Sequence, residues 1–102
     1  MSESRNFASV DYEVYGKVQD VFFRQYTYDK AIDVGAVGTV MNTPSGTVKG
    51  TFQGSQSQVE EMKYFVSKVG SPESKIEKAE FSNERQIEEL DYTEFTVLGD
   101  DW

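Results

Sequence analysis

The sequence contains no cysteine and no histidine, and these two absences remove much of the usual catalytic vocabulary. Disulfides, thiolate nucleophiles, CxxC metal transfer, His–Cys zinc sites, imidazole acid–base catalysis and phosphohistidine chemistry are all excluded. Basic residues are scarce: 10 Lys and Arg against 18 Asp and Glu leave a net charge of −8. Surfaces that grip nucleic acid or anionic lipid need clustered Lys and Arg to neutralise phosphates, so neither a nucleic acid nor a membrane is expected as partner. Strands with aromatics interleaved among basic residues, as RNA-recognition sheets use, are also missing. No apolar run approaches a membrane span and no N-terminal stretch joins a basic start to an apolar core, so a cytoplasmic protein is expected. The acidic stretch over residues 84–91 lacks the ligand spacing of an EF-hand loop and reads as a solvated loop, so no metal site is expected there.

What is present fits one small domain. A chain of 102 residues with 37% hydrophobic content supports a single core, and one domain over residues 1–102 is expected. Val10, Tyr12 and Val14 alternate with Asp11, Glu13 and Tyr15, the period-two pattern of a strand with one buried face, over residues 10–16. Phe23, Thr27, Ala31 and Val34 share one face of a helix over residues 23–34, and Gly35 suits the left-handed residue that closes it. Residues 36–42 and 47–53 flank Thr43-Pro44-Ser45-Gly46 as a hairpin. The spacing of Val59, Met62, Phe65, Val66 and Val69 predicts a second helix. A capping box from Ser55 and Gln58, or from Ser57 and Glu60, would start it, and Gly70-Ser71-Pro72 would stop it. Residues 76–81 and 92–98 read as further strands. The order βαββαβ plus a C-terminal strand predicts an α+β, ferredoxin-like sandwich, a mainly antiparallel sheet with two helices on one face and the other face partly wet.

The most informative stretch is Gly16-Lys17-Val18-Gln19-Asp20-Val21-Phe22-Phe23-Arg24, a short loop leading from the first strand to the start of the first helix. Unpaired backbone N–H groups at a helix N-terminus attract oxyanions, and Arg24 adds a full charge and a bidentate fork. The stretch reads as an oxyanion cradle. Overall negative charge slows an anion's encounter more than it prevents binding, because charges beyond about 8–10 Å are largely screened at physiological salt. Taken singly, the same residues have plainer roles. Arg24 is a helix-surface arginine, Asn42 opens a turn before Pro44, Thr43 makes a local hydrogen bond, Lys17 is a solvated charge and Gly16 permits close backbone approach. Tyr12, Tyr15, Tyr26 and Tyr28 read as amphipathic packing.

Taken together, the cradle and the hairpin resemble the acylphosphatases, small enzymes that hydrolyse the carboxyl–phosphate bond. The family patterns are Gly-x-Val-Gln-Gly-Val-x-Phe-Arg, matched here over residues 16–24, and Gly-x-Val-x-Asn-Thr-x-x-Gly-x-Val. The second is matched by Gly38-Thr39-Val40-Met41-Asn42-Thr43-Pro44-Ser45-Gly46-Thr47-Val48. Lys68-Val69-Gly70-Ser71-Pro72 and Phe81-Ser82-Asn83-Glu84 are similar to vertebrate members, so the resemblance covers most of the chain. It implies that Arg24 binds the phosphate, that Asn42 orients the attacking water, and that Val18, Gln19, Asp20, Val21, Phe22 and Phe23 form a loop whose amides surround the phosphoryl oxygens. It further implies a monomeric, metal-independent hydrolase without cofactor, converting a small acyl phosphate to a carboxylate and inorganic phosphate. Such a substrate carries a good leaving group, so its hydrolysis needs positioning and charge stabilisation more than a nucleophile or strong base. The competing reading is a non-catalytic ferredoxin-like module that binds an anion or acyl phosphate. Asn42 weighs against it, since anion binding needs no water-orienting amide.

Three departures from the family pattern stand out. Asp20 replaces a glycine inside the phosphate loop. Aspartate visits the left-handed region more easily than most residues, at a cost of about 1 kcal/mol. A carboxylate roughly 6 Å from phosphate at an effective dielectric of about 20 would cost about 3 kcal/mol, so the Asp20 carboxylate is expected to point into solvent. Thr39 stands where some relatives carry a bulky aromatic, implying different shielding of the sheet. The chain finishes on Gly99-Asp100-Asp101-Trp102 rather than a basic–aromatic pair, and Trp102 either packs back on the domain or hangs free.

Overall fold

The computed structural model describes residues 7–99, so Trp102 lies outside the described residues. The elements run β1 (Phe7–Lys17), α1 (Phe23–Val34), β2 (Val37–Asn42), β3 (Val48–Ser55), α2 (Gln56–Tyr64), a closing helical turn (Phe65–Val69), β4 (Lys75–Ile87) and β5 (Phe95–Leu98). One five-stranded sheet has the order β4-β1-β3-β2-β5; its pairs are antiparallel except β2 with β5, which run parallel. This is the expected ferredoxin-like α+β sandwich. Each helix connects two parallel strands that have one antiparallel strand between them, a split βαβ arrangement.

Alternation along the strands sends Val10, Val14, Val40, Val48 and Phe52 toward the helices, where Phe23, Ala31, Val59, Met62 and Val66 complete the buried core. Tyr12 stacks flat on Phe52 with ring centroids 4.0 Å apart, and its buried hydroxyl donates to the Thr39 carbonyl at 2.7 Å. That bond satisfies the buried hydroxyl, while burial holds the Tyr12 phenol well above its ordinary pKa.

Both helices have the ends their residues anticipate. Gly35 closes α1 at φ 86°, its N–H donating to the Ala31 carbonyl. Ser55 and Gln58 form the capping box of α2, the first of the two possible pairs. Gln58 also donates from Nε2 to the Val34 carbonyl at 2.9 Å, tying the start of α2 to the end of α1. Beyond Tyr64 the helix widens into a π-type turn, in which the Gly70 N–H reaches back five residues to the Phe65 carbonyl, and Gly70 stops it as anticipated.

Strand limits differ from expectation by more than two residues in three places. β1 begins at Phe7 rather than Val10, and β5 is confined to Phe95–Leu98 rather than residues 92–98. The acidic stretch is not all loop, because β4 continues through Glu84 and Arg85 to Ile87. The cause is tertiary: Phe7, Ala8 and Ser9 present a free ladder edge, and Ile87, Gln86 and Arg85 pair with it after an irregularity in register. Asn83 takes φ 54° beside that irregularity. Charged side chains suit this edge strand, where they discourage pairing with another chain. The following loop crosses one end of the face opposite the helices. There the buried Gln53 donates to Asp91 Oδ2 at 2.9 Å and to Ser9 Oγ at 3.1 Å, and accepts from the Asp91 N–H.

On the open part of the same face, the Tyr15 hydroxyl donates to Glu80 Oε1 at 3.2 Å. Partial desolvation, followed by the neighbouring Glu13 and Glu80 carboxylates, pushes the Tyr15 pKa up to about 12 from 10.0. A folded-state pKa above the unfolded value gives a contribution that is complete below pH 10 and lost as pH rises toward 12. Urea unfolding across this window is expected to show stability falling, with the fall shallower in Tyr15→Phe; an unchanged slope in that variant would remove Tyr15 from the account.

Candidate active site

At one end of the sheet, the β1–α1 loop, the end of β2 and the end of β5 come together. Val18 and Val21 are buried at 1% and 3% exposure and anchor the loop in the core, while Asp20 and Phe22 between and after them are exposed. Asp20 and Phe22 both have φ 63°, and neither Gln19, Val21 nor Phe23 has positive φ. Alternating handedness of this kind turns successive N–H groups toward one concavity, a backbone nest for an anion. Among the described residues, no turn or loop backbone hydrogen bond is donated by residues 19–23; the first intrahelical one runs from the Tyr26 N–H to the Phe22 carbonyl. Asp20 was anticipated in the left-handed region, but Phe22 was not, since nothing in its chemistry favours it there.

The Gln19 side chain holds this loop to the β2–β3 turn. Its Nε2 donates to the Thr43 carbonyl at 2.8 Å and to the Thr47 carbonyl at 2.9 Å. The turn is itself cross-braced. Thr47 Oγ1 donates to Glu13 Oε2, so the 2.6 Å contact between the two threonine hydroxyls has Thr43 as donor. Thr43 Oγ1 in turn accepts from the Ser45 and Thr47 N–H groups. Thr43 therefore makes the local hydrogen bonds expected of it and fixes the residue following Asn42. Gly16 adopts φ 125° where β1 shifts register against β4, and a Cβ there would collide with the Lys75 carbonyl, the close approach anticipated for it. Lys17 is exposed at the end of β1.

Arg24 sits half-buried in the first turn of α1 and makes a long, 3.4 Å hydrogen bond from Nη1 to the Leu98 carbonyl. Leu98 is beside Met41 in the parallel β2–β5 ladder, so the final strand reaches the guanidinium from the side of Asn42. The Asn42 Oδ1 atom is buried and has no hydrogen-bond partner among the described residues. A buried acceptor left unpaired costs about 1–3 kcal/mol. It belongs to a residue that borders two adjoining cavities. One, of 400 Å³, is lined by Val18, Asp20, Phe22, Phe23, Arg24, Gln25 and Asn42. The other, of 770 Å³, is lined by Gln19, Asp20, Arg24, Met41, Asn42, Thr43, Pro44 and Gly99. Asp20, Arg24 and Asn42 are common to both.

A third concavity of 750 Å³ on the open sheet face is bordered by Asp11, Glu13 and Glu80. Its carboxylates oppose an anion, and it contains neither Arg24 nor the nest. Among the described residues no group of three or more carboxylates is placed to hold a metal ion.

The residues singled out in the sequence are thus gathered at one place: Arg24, Asn42 and the loop from Val18 to Phe23. Three contributors were not legible. The Gln19 side chain, the Thr47–Glu13 brace and the Leu98 carbonyl act through contacts between elements distant in sequence, and only the β-prone run ending at Leu98 hinted at any of them.

Fold and site together define a ferredoxin-like protein with a backbone anion nest, an adjacent guanidinium and an unpaired amide oxygen. A family model described as Acylphosphatase matches residues 10–97. Acylphosphatase-2 of Homo sapiens is 50% identical over 97 residues, 95% of this chain and 98% of the relative. Acylphosphatase-2 of Bos taurus is 52% identical with the same coverage. The crystal structure of the acylphosphatase from Bacillus subtilis has a TM-score of 0.81 at 26% identity, covering 89% of this chain and 98% of that one. The chain belongs to the acylphosphatase family, and with that membership comes the hydrolysis of acyl phosphates.

Gln19→Ala removes one donor from two turn carbonyls at once. It is expected to lower the unfolding free energy by about 1–3 kcal/mol in urea titrations, and to weaken inorganic phosphate binding measured by calorimetry. Full retention of both would show that the valine anchors suffice to hold the loop.

Proposed function

We propose that Arg24 and the amides of residues 18–23 hold the phosphoryl group of an acyl phosphate while Asn42 orients the water that attacks it. The observation carrying this reading is the buried, unpartnered Asn42 Oδ1 on the wall it shares with Arg24 and the nest. An amide oxygen is too weak a base to ionise water, but it accepts one of the water's hydrogens and thereby aims a lone pair at phosphorus. The water oxygen bonds to phosphorus as the bond from phosphorus to the carboxylate oxygen breaks. The carboxylate leaves with that electron pair, and the water's proton passes to a phosphate oxygen, giving a carboxylate and inorganic phosphate. Charge spreading over the equatorial oxygens is met by the guanidinium and by fixed N–H dipoles that need no reorganisation during reaction.

We take a monomer as the working unit and residues 1–102 as one domain, a reading supported by the single buried core that the loop anchors Val18 and Val21 share with both helices and the sheet. The net charge of −8 supports a small-molecule substrate over nucleic acid or an anionic membrane, and we place the protein in the cytoplasm. No helix among the described residues is long and apolar enough to cross a membrane. Asp20 borders both cavities yet is exposed, which supports solvent screening of its carboxylate.

Turnover of an aromatic acyl phosphate, followed with excess chelator present, tests the assignment. Arg24→Gln is expected to weaken competition by inorganic phosphate, and Asn42→Ala to lose roughly two to four orders of magnitude in kcat with phosphate binding largely kept. A wild type that binds phosphate but does not turn over would leave the non-catalytic anion module. In the same assay Asp20→Gly is expected to change KM only modestly; a gain above about a hundredfold would mean that the carboxylate faces the substrate.

A further inference from the structure

Phe22 combines two features that folding alone disfavours. At 73% exposure it is the most exposed of the large hydrophobic side chains among the described residues. Its backbone is left-handed, at φ 63°, a conformation that suits glycine or asparagine and costs other residues about 1–2 kcal/mol. The nest requires that backbone, but it does not require a large aromatic ring on it. The core gains little from the ring either, unlike its neighbour Phe23, which is 1% exposed.

The ring borders the smaller of the two cavities. That cavity continues from the shared residues Asp20, Arg24 and Asn42 toward Phe22, Gln25, Val18 and Phe23, so the lining that it alone possesses carries aromatic rings. The larger cavity continues instead toward Gln19, Met41, Thr43, Pro44 and Gly99, which are uncharged but include no aromatic ring. A phosphoryl group held at the common residues leaves its acyl substituent to occupy one of these two arms. A hydrocarbon acyl substituent such as benzoyl is uncharged beyond the carbonyl, and it gains from an apolar surface. An aromatic acyl group gains more, through ring-on-ring contact.

We propose that the Phe22 side chain is the acyl-group platform of this enzyme, setting a preference for acyl phosphates with aromatic or extended apolar substituents over acetyl phosphate. The inference rests on the assignment of the phosphoryl site to Arg24 and the loop amides. It adds a specificity-determining side chain to a residue so far assigned only through its backbone. The Phe22 ring supplies contact area at the cavity mouth, and the residue's backbone amide simultaneously faces the phosphate, so one residue reads both ends of the substrate.

The test is a ratio, which cancels any general loosening of the loop. For wild type, Phe22→Ala, Phe22→Trp and Met41→Ala, kcat/KM is measured with benzoyl phosphate and acetyl phosphate. The dissociation constants of benzoylmethylphosphonate and acetylmethylphosphonate, their non-hydrolysable counterparts, are measured by calorimetry. Phe22→Ala is expected to lower the benzoyl-to-acetyl ratio about tenfold in both measurements, with Phe22→Trp restoring it. Met41→Ala, which alters the other cavity, should leave it within about twofold. An unchanged ratio in Phe22→Ala, or a ratio that responds to Met41→Ala instead, would overturn the proposal. Failure of wild type to hydrolyse either substrate would count against the catalytic assignment, while the phosphonate ratio would still decide the role of Phe22.

Discussion

The constraint behind this molecule is that backbone N–H groups must be kept unpaired within the protein and still be held still. An amide that bonds to its own chain offers nothing to an anion, and an amide on a slack loop loses affinity to ordering entropy. The β1–α1 loop meets both demands by alternating the handedness at Asp20 and Phe22 and burying Val18 and Val21 as anchors. Gln19 supplies the remaining restraint, using a side chain rather than the loop's own amides to grip the neighbouring turn. Left-handed backbone at two non-glycine residues costs free energy, as conformations at functional sites commonly do.

The sheet topology then determines what surrounds the nest. Because β3 lies between β1 and β2, the end of β1 and the end of β2 emerge on the same edge of the sheet, and the loop leaving one meets Asn42 at the end of the other. The parallel pairing of β5 with β2 carries the Leu98 carbonyl to that edge as well, within hydrogen-bonding reach of Arg24. The turn after Asn42 is braced through Thr43 and Thr47 to Glu13 on β1, so Asn42 and the β1–α1 loop share one framework. This matters for a reaction with no strong base available, in which rate depends on how closely the groups keep their alignment. A chain of net charge −8 offers an anion site because exposed carboxylates, Asp20 among them, are screened by solvent, while the guanidinium of Arg24 and the loop amides act at short range.

Legibility followed the range of the interactions responsible. The limits of α1 could be read because Gly35 and the spacing of Phe23, Thr27 and Ala31 are local signals. The capping box of α2 was narrowed to two pairs for the same reason. The extension of β4 through Glu84 and Arg85 could not be read, because those residues have little preference for a strand and take the conformation offered by the free edge of β1. Gln53 gives the opposite lesson: a polar residue in a β-prone run is buried because the Asp91 loop, distant in sequence, supplies its partners. In the site, Arg24 and Asn42 were visible as residue types at a recognisable spacing. The left-handed backbone of Phe22 was not, since it is imposed by burial of the residues on either side.

By itself, then, the sequence determined which chemistry was open to the protein. Without cysteine or histidine, and with one arginine following a short loop and one asparagine before a turn, hydrolysis has to work by positioning and charge stabilisation. Those are properties of side-chain chemistry and local spacing, which survive in a linear text. Tertiary structure alone decided that the arginine, the asparagine and the amides meet, that among the described residues the amides of residues 19–23 donate no turn or loop backbone bond, and that an exposed phenylalanine stands at the mouth of the cavity. Each of these depends on contacts across the sheet between segments dozens of residues apart, where the gain from burying the valines outweighs the local preferences of the residues between them.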